Sequence, residues 1–189
     1  MIQLSAKEIR SSLMGYQAPR WSDFPAVDLY MDQVVELLNA WLSPLYFDQK
    51  KPCLTPNMIN NYVKNSIVKA PVKKRYTAAH LAFLYVVMVL KQCFSLQEIS
   101  ALITIYTDME DGSAIETSFN RFASVFESLL HETLAGSKGC QPDSFFEHPT
   151  WQQTLMVDVL QAVCCRLFAI VQIYGFQHPS QNHTKNLPE

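Results

Sequence analysis

Only five glycines occur in 189 residues, and no two are adjacent. That scarcity excludes glycine-rich phosphate loops and argues against turn-dense all-β architectures. No G-x-S-x-G elbow, dinucleotide fingerprint or HExxH is present, and His131-Glu132 has no second His at the needed distance. The expectation is a protein that is not an enzyme and has no cofactor. The five cysteines, Cys53, Cys93, Cys140, Cys164 and Cys165, are odd in number and form no CxxC. They read as buried thiols in a reducing compartment, not as a disulfide framework or a metal site. The N-terminal residues Met1 to Glu8 hold no basic stretch followed by an apolar run, so no signal peptide is predicted. Long apolar runs are few. Leu81 to Leu90 is ten residues long, and Leu155 to Tyr174 carries Asp158, Gln161, Arg166 and Gln172. A spanning helix needs about 20 mostly apolar, uncharged residues. Both are therefore expected as buried helices of a soluble, cytoplasmic protein with no membrane partner.

A more local absence is that of acid. Between Gln49 and Gln97 there is no Asp or Glu, while eight basic residues fall there: Lys50, Lys51, Lys64, Lys69, Lys73, Lys74, Arg75 and Lys91. Elsewhere seven basic residues stand against all 17 acidic ones, so a net charge of −2 conceals a basic segment on an acidic protein. Such a segment is the electrostatic footprint of a nucleic-acid-binding face; the plain alternative is a solvated basic surface.

With 49% apolar residues the chain can build a core. Helical periodicity divides it as follows. Residues 1–28 form a short helix (Lys7 to Gly15) and an extended connector containing Pro19 and Pro25. Residues 29–106 hold a helix from Leu29 to Leu42 and a loop. A second helix is opened by Thr55-Pro56, and a short basic hairpin runs from Ile67 to Tyr76. Then come an all-round apolar helix, Ala78 to Gln92, and a helix opened by the capping box Ser95-Leu96-Gln97-Glu98. Residues 107–175 hold a polar connector with Asp108, Glu110 and Asp111, then two long helices, Ala114 to Leu134 and Thr150 to Tyr174. Residues 176–189 read as a disordered tail.

The helix after Thr55 carries the functional argument. At about 100° per residue, Met58, Ile59, Tyr62 and Val63 share one side, and Asn57, Asn60, Asn61 and Lys64 share the other. Asn costs about half a kcal/mol in a helix relative to Ala, so three of them on one stripe call for a reason. An amide that donates and accepts at once suits bidentate pairing with adenine in the major groove. Tyr62 and Lys64 are expected at phosphates, as are Lys69, Lys73, Lys74, Arg75 and Tyr76 of the hairpin.

These parts, in this order, resemble the winged helix-turn-helix of MerR-type regulators. There a recognition helix T-L-R-Y-Y-E-R-E-G-L-I precedes a wing ending G-Y-R-x-Y and, one helix later, the phrase G-F-S-L-x-E-I. Met58 to Val68 is similar to the first in register, Arg75-Tyr76 to the second, and Phe94-Ser95-Leu96-Gln97-Glu98-Ile99 to the third. Asn60 and Asn61 depart from the family's Arg and first Tyr, the loop Ser43 to Leu54 is longer than the family's tight turn, and two helices replace its single long dimerisation helix. The whole chain, through Leu54 to Lys64 and Lys73 to Tyr76, also resembles a bacterial family catalogued only as a domain of unknown function.

The expected fold is thus mainly all-α: a MerR-like winged helix-turn-helix with a small basic wing, followed by two long C-terminal helices. The expected function is a DNA-binding transcriptional regulator, dimeric through those helices on a pseudo-palindromic double-stranded site. The site residues are Thr55, Asn57, Asn60, Asn61, Tyr62, Lys64, Lys69, Lys73, Lys74, Arg75 and Tyr76. Two other readings stand beside it. One is an adaptor that uses the fold to bind an acidic protein. The other is a sensor whose Phe119, Phe122, Phe126, Phe168 and Tyr174 enclose a small effector.

Overall fold

A computed structural model describes residues 5–46, 52–107, 115–136 and 140–177. Lys50, Lys51, the acidic connector and the tail beyond Gln177 lie outside the described residues. Seven α-helices are present among them: α1 Ala6–Met14, α2 Met31–Leu42, α3 Pro56–Lys64, α4 Ala78–Leu90, α5 Leu96–Thr107, α6 Ile115–Ala135 and α7 Trp151–Gln177. The chain is mainly helical, with no β-strand among the described residues.

Several of the helices start with one device, a side chain three residues in that reaches back to the first free amide. Glu8 accepts from the Ser5 N–H at 2.7 Å and Glu98 from the Ser95 N–H at 2.7 Å, while Gln153 does the same for Thr150 at 2.9 Å. Both glutamates are held below their ordinary pKa by these bonds. At α4 the role falls to His80, whose Nδ1 accepts the Thr77 N–H at 3.1 Å.

α4 is the axle of the molecule. Leu81, Leu84, Tyr85, Val87, Met88 and Val89 are buried, and the helix packs against α2, α6 and α7. Its all-round apolarity thus matches a position with neighbours on several sides. The stripe Phe119, Phe122, Phe126, Leu129 and Leu130 buries α6 in the same core, with α7 as its most extensive partner. Of the aromatic residues expected to enclose an effector, the three on α6 fill the interior: Phe126 is fully buried, Phe122 is buried, and Phe119 packs against Trp21, Phe24 and Tyr85, while Phe168 and Tyr174 are half-buried.

The N-terminal connector is a seam. The Tyr16 and Tyr85 hydroxyls meet at 2.6 Å in the interior. The Ala18 N–H donates to Glu127 at 2.8 Å, Arg20 pairs with Glu127 at 3.1 Å, and the Trp21 N–H donates to Asn120 at 2.8 Å. Phe24 stacks on Trp41 of α2. The segment before α2 is thereby bonded to α6, and one continuous core joins the N-terminal, central and C-terminal helices.

Two expectations about α7 change. The helix runs through Gln177, past Gly175, where the periodic pattern was expected to end. A Cβ added at Gly175 would meet the Ala6 Cβ at 3.4 Å, an ordinary contact, so α7 passes beside α1 at this point. By length and composition, Trp151–Phe176 also suffices to cross a bilayer, contrary to the reading of its polar residues as disqualifying. Its packing gives those apolar residues another use: Val157, Leu160, Val163, Cys164, Leu167 and Val171 are buried against the rest of the molecule.

Candidate nucleic-acid interface

α3 begins where Thr55 Oγ1 accepts the Met58 N–H at 3.3 Å, with Pro56 in the first turn. Ile59 and Tyr62 are buried, Met58 and Val63 half-buried, and Asn57, Asn60, Asn61 and Lys64 exposed, so the two sides divide as periodicity predicts. Asn65 donates to the Asn61 amide oxygen at 3.0 Å and to its carbonyl at 2.8 Å, which holds the Asn61 side chain in one orientation.

What positions α3 after so long a loop is a residue the sequence pattern did not single out. Asn39 of α2 is half-buried. Its amide nitrogen donates to the Leu54 carbonyl at 2.8 Å, and its amide oxygen accepts from the Leu54 N–H at 3.0 Å and from Cys53 Sγ at 2.8 Å. One side chain thus clamps the end of the loop as a neighbouring backbone would, one residue before the Thr55 cap. The only sequence signal is an amide among the buried positions of an amphipathic helix.

α3 ends in a Schellman turn. The Ile67 N–H reaches the Tyr62 carbonyl at 2.9 Å and the Ser66 N–H the Val63 carbonyl at 3.0 Å, with Ser66 at φ +56°. Ile67 and Val68 then bury, and the chain enters the basic hairpin. It is smaller than a wing of two strands. Val72 and Arg75 form one antiparallel bridge and Leu29 and Tyr76 another, each isolated. Because Leu29 is engaged there, α2 starts at Met31 instead of Leu29. Between Val72 and Arg75 the tip residues Lys73 and Lys74 both have positive φ, +49° and +62°, and the Arg75 N–H closes the turn on the Val72 carbonyl at 2.9 Å. This is a type I′ hairpin turn, a geometry that ordinarily selects Asn-Gly. Two lysines in the left-handed region cost about 1–2 kcal/mol each, and such strain concentrates where side-chain chemistry matters more than stability.

The remaining site residues divide. Lys64, Lys69, Lys73 and Lys74 are exposed, and among the described residues none is in an ion pair, the one pair there being Arg20–Glu127. Arg75 lies with its guanidinium carbon 3.8 Å from the centre of the Tyr30 ring and donates to the Asp28 carbonyl at 3.1 Å, which fixes the hairpin to the segment before α2. Tyr62 and Tyr76 are not on the face. They are 1% and 3% exposed, the Tyr62 hydroxyl points at the Met88 sulfur at 3.5 Å, and Tyr76 meets the His80 ring edge-on. Burial pushes the Tyr62 phenol up to about 12. A phosphate oxygen has no access to either, so the expected phosphate contacts of both give way to a core role; in each, the ring fills space beneath the face.

A family model described as Domain of unknown function (DUF1836) matches residues 19–123, more than half of the chain, and the chain belongs to that family. The match runs from the N-terminal seam through α5 into α6. No curated protein and no solved structure matches the chain.

Proposed function

We propose that this member of the family is a DNA-binding transcriptional regulator of the winged helix-turn-helix kind, with α3 as recognition helix and the Lys73-Lys74 tip as wing. The observation that carries the reading is the pairing of an exposed, amide-rich α3 face with a strained lysine turn, inside 49 residues that hold no acid. Asn57, Asn60 and Asn61 read base edges, and Lys64, Lys69, Lys73 and Lys74 hold phosphates. The MerR-like resemblance gains support from Ser66, whose left-handed backbone stands where that pattern has Gly.

A single module of this size offers a small interface, typically about 600–1,000 Å², so the reading includes a homodimer on a pseudo-palindromic site. The buried stripe of α6 is taken up within the protomer. The outward face of α7 is what remains: Ala162, Cys165, Ala169, Ile173 and Phe176 are exposed and fall within an arc of about 80° at 100° per residue, the last two 52% and 89% exposed.

The test is binding to random-sequence duplex DNA across a salt series, with site selection from the bound pool. A log affinity falling linearly with log salt, its slope divided by about 0.9, counts the phosphates neutralised. An enriched inverted repeat supports the dimeric regulator, and the Asn60→Ala, Asn61→Ala variant should lose it. No binding at low salt would overturn the proposal in favour of an acidic protein partner.

A further inference from the structure

A cleft of about 450 Å³ opens between the outer edge of α6 and the segment that leads into α7. On one wall Arg121, Ser124 and Ser128 follow each other at helical spacing; on the other stand Phe145, Phe146 and His148. The volume falls within the range of small-molecule sites, about 300–1,000 Å³. It is separate from the α3 face and from the packed aromatic interior of α6.

The chemistry of the lining is specific. The Arg121 guanidinium lies 5.9 Å from the centre of the Phe146 ring, held by a cation–π contact along the aromatic wall. It enters no ion pair among the described residues. Its planar fork of N–H donors, which matches a carboxylate or phosphate two-point, is therefore available at the cleft. Two serine hydroxyls and the His148 ring add polar groups around it, and two half-buried phenyl rings supply apolar surface. Glu147, the one acid lining the cleft, disfavours a ligand that is anionic throughout, so a single anionic group fits the lining better than several.

From these features we infer that the cleft binds a small molecule with a planar apolar body and a single anionic head, carboxylate or phosphate. The head sits on Arg121, and the ring lies against Phe145 and Phe146.

The experiment is a titration of the full chain, followed by amide-resolved NMR, with phenylacetate and with phenyl phosphate; benzyl alcohol and inorganic phosphate serve as half-ligands. Saturable shifts confined to residues 121–128 and 145–153 are expected from at least one of the two aromatic anions, with both half-ligands weaker. The tighter of the two identifies the head group. Arg121→Ala, at an exposed position, should leave the spectrum otherwise unchanged and weaken binding by about tenfold or more. The inference fails if neither anion produces saturable shifts in the cleft, if benzyl alcohol binds as tightly, or if Arg121→Ala leaves affinity untouched. No DNA enters the measurement, so its outcome is independent of the regulator reading.

Discussion

Asn39 shows how much a single side chain decides here. It replaces a tight turn between α2 and α3 by bonding both the N–H and the carbonyl of Leu54. Removing it leaves those two half-buried backbone groups without partners, at a cost of about 1–3 kcal/mol. Asn39→Ala should lower the urea midpoint accordingly, and Asn39→Asp should recover less than half, because a carboxylate accepts from the Leu54 N–H but cannot donate to its carbonyl. An unchanged midpoint in Asn39→Ala would show that the loop holds α3 without it. The same logic separates the residues of the α3 face. Asn57, Asn60 and Lys64 stand at the surface on helical periodicity alone, whereas Tyr62 shares the apolar side and carries a polar tip on an apolar body, which periodicity does not place. Only its neighbours, among them the Met88 sulfur, place that tip inside.

At the scale of elements, the basic hairpin is where stability and charge conflict. Its turn type asks for Asn-Gly and holds Lys73-Lys74 at positive φ. Substituting Lys73→Asn and Lys74→Gly together should raise the melting temperature, by up to about 2 kcal/mol of added stability. It should also lower DNA affinity and reduce the salt slope by about two. Calorimetry and anisotropy on one preparation would test both halves. A variant that is more stable and binds equally well would remove the tip from the interface. Helix starts, by contrast, were legible at once, since Ser95 to Glu98 is a local exchange of hydrogen bonds that needs no tertiary partner. The wing was legible as a basic turn but not in extent, because bridge length depends on what Leu29, far away in sequence, does.

For the whole molecule, buried phenols make alkaline pH a probe of the core. Burial raises Tyr16, Tyr46, Tyr62, Tyr85 and Tyr106 above the ordinary value of 10, Tyr62 to about 12. A phenol whose pKa is higher folded than unfolded contributes stability that is fully present below pH 10 and is lost as pH rises through the folded value. Unfolding should therefore set in between about pH 10 and 12, with the phenolate absorbance of these five tyrosines, out of eight in the chain, appearing together with the loss of helical signal. Ionisation of all eight tyrosines well before the helices melt would contradict the burial of these rings.

Sequence alone determined the helices, the division of α3 into an apolar and an amide-rich side, and the acid-free basic segment. These are properties of spacing and composition, and they hold whatever the neighbours are. Tertiary structure decided which apolar surfaces are spent. It committed the aromatic stripe of α6 to the core instead of an effector pocket, took the apolar length of α7 into packing, and bonded the N-terminal connector to α6 through Glu127 and Asn120. It also paired Arg121 with Phe146 across 25 residues of chain. Periodicity records that a residue is apolar or charged, and only the arrival of a distant segment determines what that residue meets.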